Sequence, residues 1–149
     1  MYVDPHNTGH RPDKGNYTNV INQIAQDGVC PFCIEHLSKY HPNPLEEHTH
    51  WLATDNAYPY NPKKQHRLLI SKKHIEHFDE MSDDMWNELR DIIREENKRF
   101  GITGGTHVMR FGETKYTGAS VKHLHAHLYQ SDPDHPDYNP KLGTIMRIG

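Results

Sequence analysis

The sequence lacks most features of secreted, membrane and nucleic-acid-binding proteins. Its two cysteines, three positions apart in 149 residues, cannot form the disulfide framework of a secreted domain. No run approaches the roughly 20 apolar residues of a membrane span, and the first 28 residues lack the apolar core of a signal peptide. The formal net charge is −3, so no basic excess points to nucleic acid. We therefore expect a cytoplasmic protein with neither a membrane nor a nucleic-acid partner.

Histidine, by contrast, is abundant, and three of the 14 histidines alternate with apolar residues in the stretch Val-Lys-His-Leu-His-Ala-His-Leu-Tyr at 121–129. Successive side chains of a β-strand point to opposite faces, so this alternation predicts a half-buried strand. The histidines would share one face and the apolar residues the other: His123, His125 and His127 against Leu124, Ala126 and Leu128. The alternative is a metal-binding tract or a chance cluster, which would not need an apolar residue at every second position.

The strongest helical pattern covers residues 82–100, where five apolar residues form one stripe: Met85, Leu89, Ile92, Ile93 and Phe100. Ser82 is the expected N-cap and Gly101 the expected terminator. A shorter helix is predicted over residues 17–26, with Asn16 as its cap and Gly28 at its end.

The remaining segments are predicted as strands and loops. Strands are expected at 51–54, 67–71, 106–111 and 121–129, and loops at 40–47, 56–62 and 112–120. Residues 1–15 are expected to form an irregular arm, and residues 131–149 a C-terminal tail. Strands with one long helix between the second and third predict a single α+β domain, residues 1–149, with an antiparallel sheet.

The histidine stretch resembles the signature of the histidine triad (HIT) superfamily. Two further motifs support the resemblance: Gln-His-Arg-Leu-Leu-Ile-Ser-Lys-Lys-His-Ile at 65–75, with Ser71 where the family usually has proline, and Cys-Pro-Phe-Cys at 30–33. Together they cover roughly residues 30–130. The resemblance implies a five-stranded antiparallel sheet with helices against one face, and a homodimer.

The cysteine pair indicates a metal site. Cys30 and Cys33 supply half of a tetrahedral zinc site on one turn. A nearby partner could be His36; alternatively, both cysteines are reduced and inert. The family resemblance implies His74 and His123 as the other two ligands. Four protein ligands leave no open coordination position, so the zinc would be structural.

The resemblance also implies roles in catalysis. It assigns nucleophilic attack on an α-phosphorus to His125, with His127 and His66 as polar partners. Neutral imidazole is a competent nucleophile near neutral pH. Ser120 and the backbone around Gly118 are expected to contact phosphate.

Two positions depart from the family pattern. Gly112 and Ala119 stand where the family often has Asn and Gln, so phosphate recognition must differ here. Three cations could compensate for this difference: Arg110, Lys115 and Lys122.

A Pro-rich segment, Asn-Ala-Tyr-Pro-Tyr-Asn-Pro at 56–62, resembles the nucleoside loop of the dinucleoside polyphosphate phosphorylase branch. In this interpretation Asn56 bonds ribose or base, and Tyr58 or Tyr60 packs on the base. Alternatively, the loop is proline-rigid and its tyrosines belong to the core.

The overall expectation is a zinc-containing nucleotide hydrolase or nucleotidyl transferase that forms a nucleotidyl-histidine intermediate on a (di)nucleoside phosphate. Two alternatives remain open at this point: a dinucleoside polyphosphate phosphorylase, and a non-catalytic nucleotide-binding module whose histidines only bind.

Overall fold

A computed structural model describes residues 1–9 and 15–149 of the chain. Its centre is a five-stranded antiparallel sheet in the order β1-β2-β3-β5-β4. The strands are β1 (Glu46–Glu47), β2 (Trp51–Asp55), β3 (Lys63–Ser71), β4 (Thr106–Arg110) and β5 (His125–Ser131). The predicted α+β class with an antiparallel sheet is therefore confirmed.

Helix α3 (Asp83–Arg99) covers one face of the sheet. The Ser82 hydroxyl accepts a hydrogen bond from the Met85 amide, as an N-cap does, and Gly101 follows the helix at φ 62°. Its apolar stripe packs on the apolar positions of three strands in one buried cluster: Trp51, Ala53, Leu69, Ile75, Met85, Leu89, Ile92, Leu124 and Ala126. The predicted long helix and its N-cap are confirmed, and Met85, Leu89 and Ile92 of the predicted stripe are buried in this cluster; Ile93 is partly buried against it, and Phe100 is not among its residues.

The opposite face of the sheet carries two shorter helices, α1 (Asn16–Asp27) and α2 (Ile34–Tyr40). Leu37 of α2 packs on Leu52, Leu68 and Ile70 of the sheet. The expectation that helices lie against one face is therefore wrong. Helix α2 itself was not predicted; Cys33 is its N-cap, and the Cys33 carbonyl accepts the amides of His36 and Leu37.

Several predicted boundaries also need correction. Helix α1 begins at Asn16, so the capping position falls on Gly15 rather than Asn16, while Gly28 ends the helix at φ 68° as predicted. The expected loop 40–47 contains the edge strand β1, and the expected loop 112–120 contains one helical turn, α4 (Thr114–Thr117). Strand β3 starts at Lys63, earlier than predicted.

The histidine strand begins at His125, four residues later than predicted. The backbone amides just before the strand form hydrogen bonds with other segments. The Lys122 amide donates to the Tyr2 carbonyl, and the Leu124 amide donates to the Ile75 carbonyl. His123 therefore lies in a bend before the strand.

The N-terminal arm is partly ordered against this bend. Val3 forms an isolated bridge with Val121, and residues Pro5–Asn7 form a 3-10 turn. Residues 10–14 of the predicted arm lie outside the described residues. Within the described part of the chain, no helix is both long and apolar enough to cross a bilayer.

Candidate active site and metal cluster

A cleft opens on the sheet face opposite α3. Its walls come from α1, the Cys-Pro-Phe-Cys turn, the 56–60 loop and the 118–121 turn, and its floor comes from β3 and β5. Cα partners in an antiparallel pair lie on one face. Leu68 is partnered by His127, and Ile70 by His125, so both histidines face the cleft side of the sheet. Sequence-predicted residues from distant segments line the cleft: Asn56, Tyr58, Tyr60, Gly118, Ser120, His125 and His127.

The ring of His125 is oriented by its own backbone neighbourhood. Its Nδ1 lies 2.6 Å from the carbonyl oxygen of His123, which can only accept, so Nδ1 carries the proton. The lone pair of the neutral ring is therefore on Nε2. The Phe32 ring packs edge-on against this imidazole with centroids 5.0 Å apart. His125 is therefore a buried imidazole whose tautomer is set by a backbone carbonyl.

His66 and His127 form a second oriented pair. The Tyr60 amide donates to His66 Nδ1 at 3.1 Å, which leaves the proton of a neutral ring on Nε2. That nitrogen is 2.9 Å from His127 Nδ1 and donates to it. The remaining proton of a neutral His127 is consequently on its Nε2. The Asn56 amide nitrogen also lies 3.1 Å from His66 Nε2, but two donors cannot bond each other, so this is a packing contact.

The 56–60 loop is tied to this pair rather than extended into solvent. The Asn56 side-chain oxygen accepts the Tyr58 amide at 2.8 Å. The Tyr60 ring is buried and stacks on His66 with centroids 5.0 Å apart, so the Tyr60 side chain supports the histidine. Tyr58 packs against Tyr17 with centroids 4.9 Å apart.

The turn at 118–120 follows α4. Gly118 adopts φ 67°, which favours glycine, and the C-terminal residues Arg147 and Gly149 pack closely on it. Ser120 is buried, and its hydroxyl is hydrogen-bonded to that of Tyr17. Of the three cations considered above, Arg110 lines the cleft, whereas Lys122 pairs with Glu76 and Glu113 outside it and Lys115 is exposed.

Beside the cleft, the structure brings two thiols and two imidazoles together. Cys30, Cys33, His74 and His123 present ligand atoms that all lie within 4.8 Å of one another. The Cys30 sulfur is 3.3 Å from His123 Nδ1, the Cys33 sulfur is 3.3 Å from His74 Nδ1, and the two Nδ1 atoms are 3.1 Å apart. Zinc bond lengths imply tetrahedral edges of about 3.6 Å for S–N and about 3.4 Å for N–N. The three distances in the cluster, and the 3.9 Å between the Cys33 sulfur and His123 Nδ1, are within a few tenths of an ångström of those in a tetrahedral Zn²⁺ site.

The outer nitrogens of both histidines support this fit. His123 Nε2 donates to the Ser71 carbonyl at 2.7 Å, and His74 Nε2 lies 3.3 Å from the Glu76 carboxylate. Each partner holds a proton on Nε2 and turns the Nδ1 lone pair toward the cluster, as in metal-bound histidines. His36, the alternative ligand, is not part of the cluster.

Burial shifts the pKa of three of the four groups in the cluster. Burial raises the pKa of the Cys30 thiol to about 12 and also raises the pKa of Cys33. Burial lowers the pKa of His123 to about 4. Without a cation the thiols would keep their protons at neutral pH, and a divalent metal would displace them because thiolate is the ligand form.

Sequence reasoning missed Tyr17 and Phe32 as cleft residues. Tyr17 was included only as the first residue of an amphipathic helix, and Phe32 only as the interior of the Cys-x-x-Cys turn. Neither position carries a local signal for the site, because both reach it only when α1 and α2 fold onto the sheet.

Comparisons with known proteins agree with the fold. A HIT domain family model matches residues 45–133. An uncharacterized HIT-like protein of Methanocaldococcus jannaschii is 33% identical over 110 residues, which are 70% of this chain and 82% of the relative. A HIT family hydrolase from Clostridium thermocellum aligns with a TM-score of 0.57 at 23% identity, covering 72% of this chain and 95% of its own.

A zinc-bound histidine triad family protein from Mycobacterium smegmatis aligns with a TM-score of 0.55 at 16% identity, covering 73% of this chain and 79% of its own. At these identities the two structural likenesses establish the shared fold.

Proposed function

The chain belongs to the HIT domain family, and from this premise we propose that it is a nucleotide hydrolase or nucleotidyl transferase acting at the α-phosphate of a nucleoside or dinucleoside phosphate. The attacking group is His125. One observation carries the proposal: the His123 carbonyl holds the Nδ1 proton of His125 at 2.6 Å, which presents the Nε2 lone pair in a cleft. A nucleophile of this kind splits one difficult displacement into two easier steps.

In the first step, the His125 Nε2 lone pair forms a bond to the α-phosphorus while the bond from phosphorus to the leaving oxygen or nitrogen breaks. The leaving group departs with that electron pair and takes a proton. His127 is proposed to donate a hydrogen bond from Nε2 to the leaving atom, because its Nδ1 accepts from His66 and its only proton is on Nε2; the proton that the leaving group takes comes from solvent. The enzyme-bound product is a nucleotidyl-histidine.

In the second step, water attacks the same phosphorus and the bond to His125 Nε2 breaks. The water releases its proton to solvent, which balances the proton taken by the leaving group, and both histidines return to their starting states. Inorganic phosphate in place of water would give phosphorolysis, with a nucleoside diphosphate as product. The remaining cleft residues are proposed to bind substrate: Gly118 and Ser120 at phosphate, and Asn56, Tyr58 and Tyr60 around the nucleoside, with Tyr60 acting through its stack on His66.

We also propose that the cysteine-histidine cluster holds one structural Zn²⁺. Cys30, Cys33, His74 and His123 would fill all four positions, so the ion would cross-link the chain without binding substrate or water. The support is the convergence of two imidazole lone pairs and two thiols at tetrahedral spacing. The homodimer and the cytoplasmic location stay predictions.

The test of the proposed chemistry is His125→Ala. We expect turnover to fall by roughly a thousandfold or more, because no other residue can replace the nucleophile, while the fold and zinc content stay unchanged. Wild-type protein quenched in acid during turnover of nucleoside phosphoramidates or dinucleoside polyphosphates should carry one nucleoside monophosphate by intact mass. The variant should carry none. His36→Ala is the matched control, because His36 belongs neither to the histidines of the cleft nor to the cysteine-histidine cluster.

Two results would contradict the proposal. Near-normal turnover in His125→Ala would remove His125 as the nucleophile. Tight nucleotide binding by the wild type without turnover of any substrate in the panel would favour the non-catalytic binding module.

A further inference from the structure

The 118–120 turn is held by the N-terminal part of the chain, outside the 45–133 match to the family model. The Asn7 amide donates to the Ala119 carbonyl at 2.9 Å and to the Thr114 carbonyl at 3.1 Å. The Asp4 amide donates to the Ser120 carbonyl at 2.9 Å. The Tyr17 hydroxyl, from the first turn of α1, is hydrogen-bonded to the Ser120 hydroxyl. Backbone and side chain of the turn therefore both depend on Asp4, Asn7 and Tyr17.

These contacts hold a turn that has few polar side chains of its own. Gly112 and Ala119 offer no side-chain donor, so among residues 118–120 only Ser120 can bond phosphate through its side chain. Tyr17 is also buried, with its ring held against Tyr58.

We propose that Tyr17 is a positioning residue for the phosphate subsite, and this rests on the function proposed above. A phosphate oxygen only accepts hydrogen bonds, so a bound phosphate would fix the order Tyr17 to Ser120 to phosphate. Tyr17 then donates to Ser120 Oγ, and the Ser120 proton points to the ligand. Donation into Ser120 also strengthens the bond that Ser120 gives, because hydrogen bonds in a chain polarise one another.

A residue that positions the phosphate subsite should affect the binding of phosphate and not that of the nucleoside. Tyr17→Phe removes one hydroxyl and keeps the ring that packs on Tyr58. The affinity for adenosine or guanosine 5′-monophosphate should fall about tenfold, as loss of a hydrogen bond in a charged network predicts. The affinity for the matching nucleoside, which has no phosphate, should change by less than about twofold.

Isothermal titration calorimetry on the whole 149-residue chain tests these changes in affinity, with melting temperatures measured for each variant. Ser120→Ala should weaken monophosphate binding by a similar or larger factor. In the Ser120→Ala background, Tyr17→Phe should have little further effect, because Tyr17 acts through Ser120. Tyr116→Phe, at an exposed tyrosine on α4, is the matched control and should bind as wild type does.

The outcomes distinguish the two proposals. If the wild type binds and turns over nucleotide but Tyr17→Phe binds monophosphate equally well, the role of Tyr17 is overturned and the proposed function stands. Equal losses for monophosphate and nucleoside would show that Tyr17 only shapes the cleft, which also overturns it. If the wild type binds no nucleoside monophosphate, the proposed function and the role of Tyr17 fail together.

Discussion

At the residue scale, backbone groups decide which nitrogen of each cleft histidine carries the proton. The His123 carbonyl and the Tyr60 amide act on His125 and His66, and His66 passes the constraint to His127. Three imidazoles with the same intrinsic chemistry thereby acquire different roles. A lone pair on His125 Nε2 suits attack, and a proton on His127 Nε2 suits donation to a leaving group.

Replacement of His66 tests this division of roles. His66→Phe keeps a ring to stack on Tyr60 but removes the donor to His127 Nδ1. We expect kcat to fall by roughly tenfold or more, because His127 is no longer restricted to the donating tautomer. Nucleoside affinity should change little. His107→Phe, at an exposed histidine on β4, is the control, and a kcat within about twofold of wild type for His66→Phe would contradict the role.

At the scale of elements, α3 packs on one face of the sheet and also holds the turn between β1 and β2. The Glu88 carboxylate accepts the amides of Thr49 at 2.9 Å and His50 at 2.6 Å, in the turn between β1 and β2. Burial would raise the pKa of Glu88. The hydrogen bonds from the two amides, of which that from His50 has the larger effect, outweigh burial and hold the pKa of Glu88 below its usual value. The helix thus fixes the entry to the sheet through an ionised side chain.

The pH dependence follows from that direction. A carboxylate whose pKa is lower in the folded state stabilises the fold above the unfolded-state pKa of about 4.3. This stabilisation is lost as the pH falls through the folded-state pKa. Glu88→Gln should therefore unfold about 1 kcal/mol more easily at pH 7. The difference from wild type should shrink in urea titrations below about pH 4. Glu95→Gln, exposed on the same helix, is the control, and a difference independent of pH would contradict the assignment.

At the scale of the whole molecule, the cysteine-histidine cluster joins three distant segments. Cys30 and Cys33 lie between α1 and α2, His74 follows β3, and His123 precedes β5. The same bend at His123 supplies the carbonyl that orients His125. The proposed metal would therefore tie the helices over the cleft to the sheet that carries the nucleophile.

Loss of one ligand should act on the fold before the chemistry. Cys30→Ser should lose the single zinc per chain, and its melting temperature should fall by about 10 °C, the equivalent of roughly 3 kcal/mol for a chain of this size. Turnover per folded molecule should fall far less than in His125→Ala. His36→Ala should keep zinc and stability. A Cys30→Ser protein with stoichiometric zinc by elemental analysis would show that Cys30 is not a ligand.

Local patterns in the sequence were sufficient for four of the five strands and for the long helix and its caps, whereas the edge strand β1 lies in a segment predicted as a loop. Apolar alternation at β5 and the 3.6-residue stripe of α3 both reflect burial against one neighbour, which depends on spacing along the chain. Helix α2 was missed because its start depends on a backbone carbonyl in the Cys-x-x-Cys turn, which has no sequence signature. The late start of β5 was missed because residues 122–124 bond to Tyr2 and Ile75, far away in the chain.

The sequence by itself determined the fold class, the family resemblance and the residue types available for chemistry, because these follow from periodicity and from motifs of adjacent residues. Only the tertiary structure decided that Tyr17 reaches Ser120, that His74 rather than His36 joins the thiols, and that His123 leaves the strand. Those contacts join segments from about 40 to about 100 residues apart. They depend on how the helices and turns pack on the sheet, and packing between distant segments leaves no pattern in either segment alone.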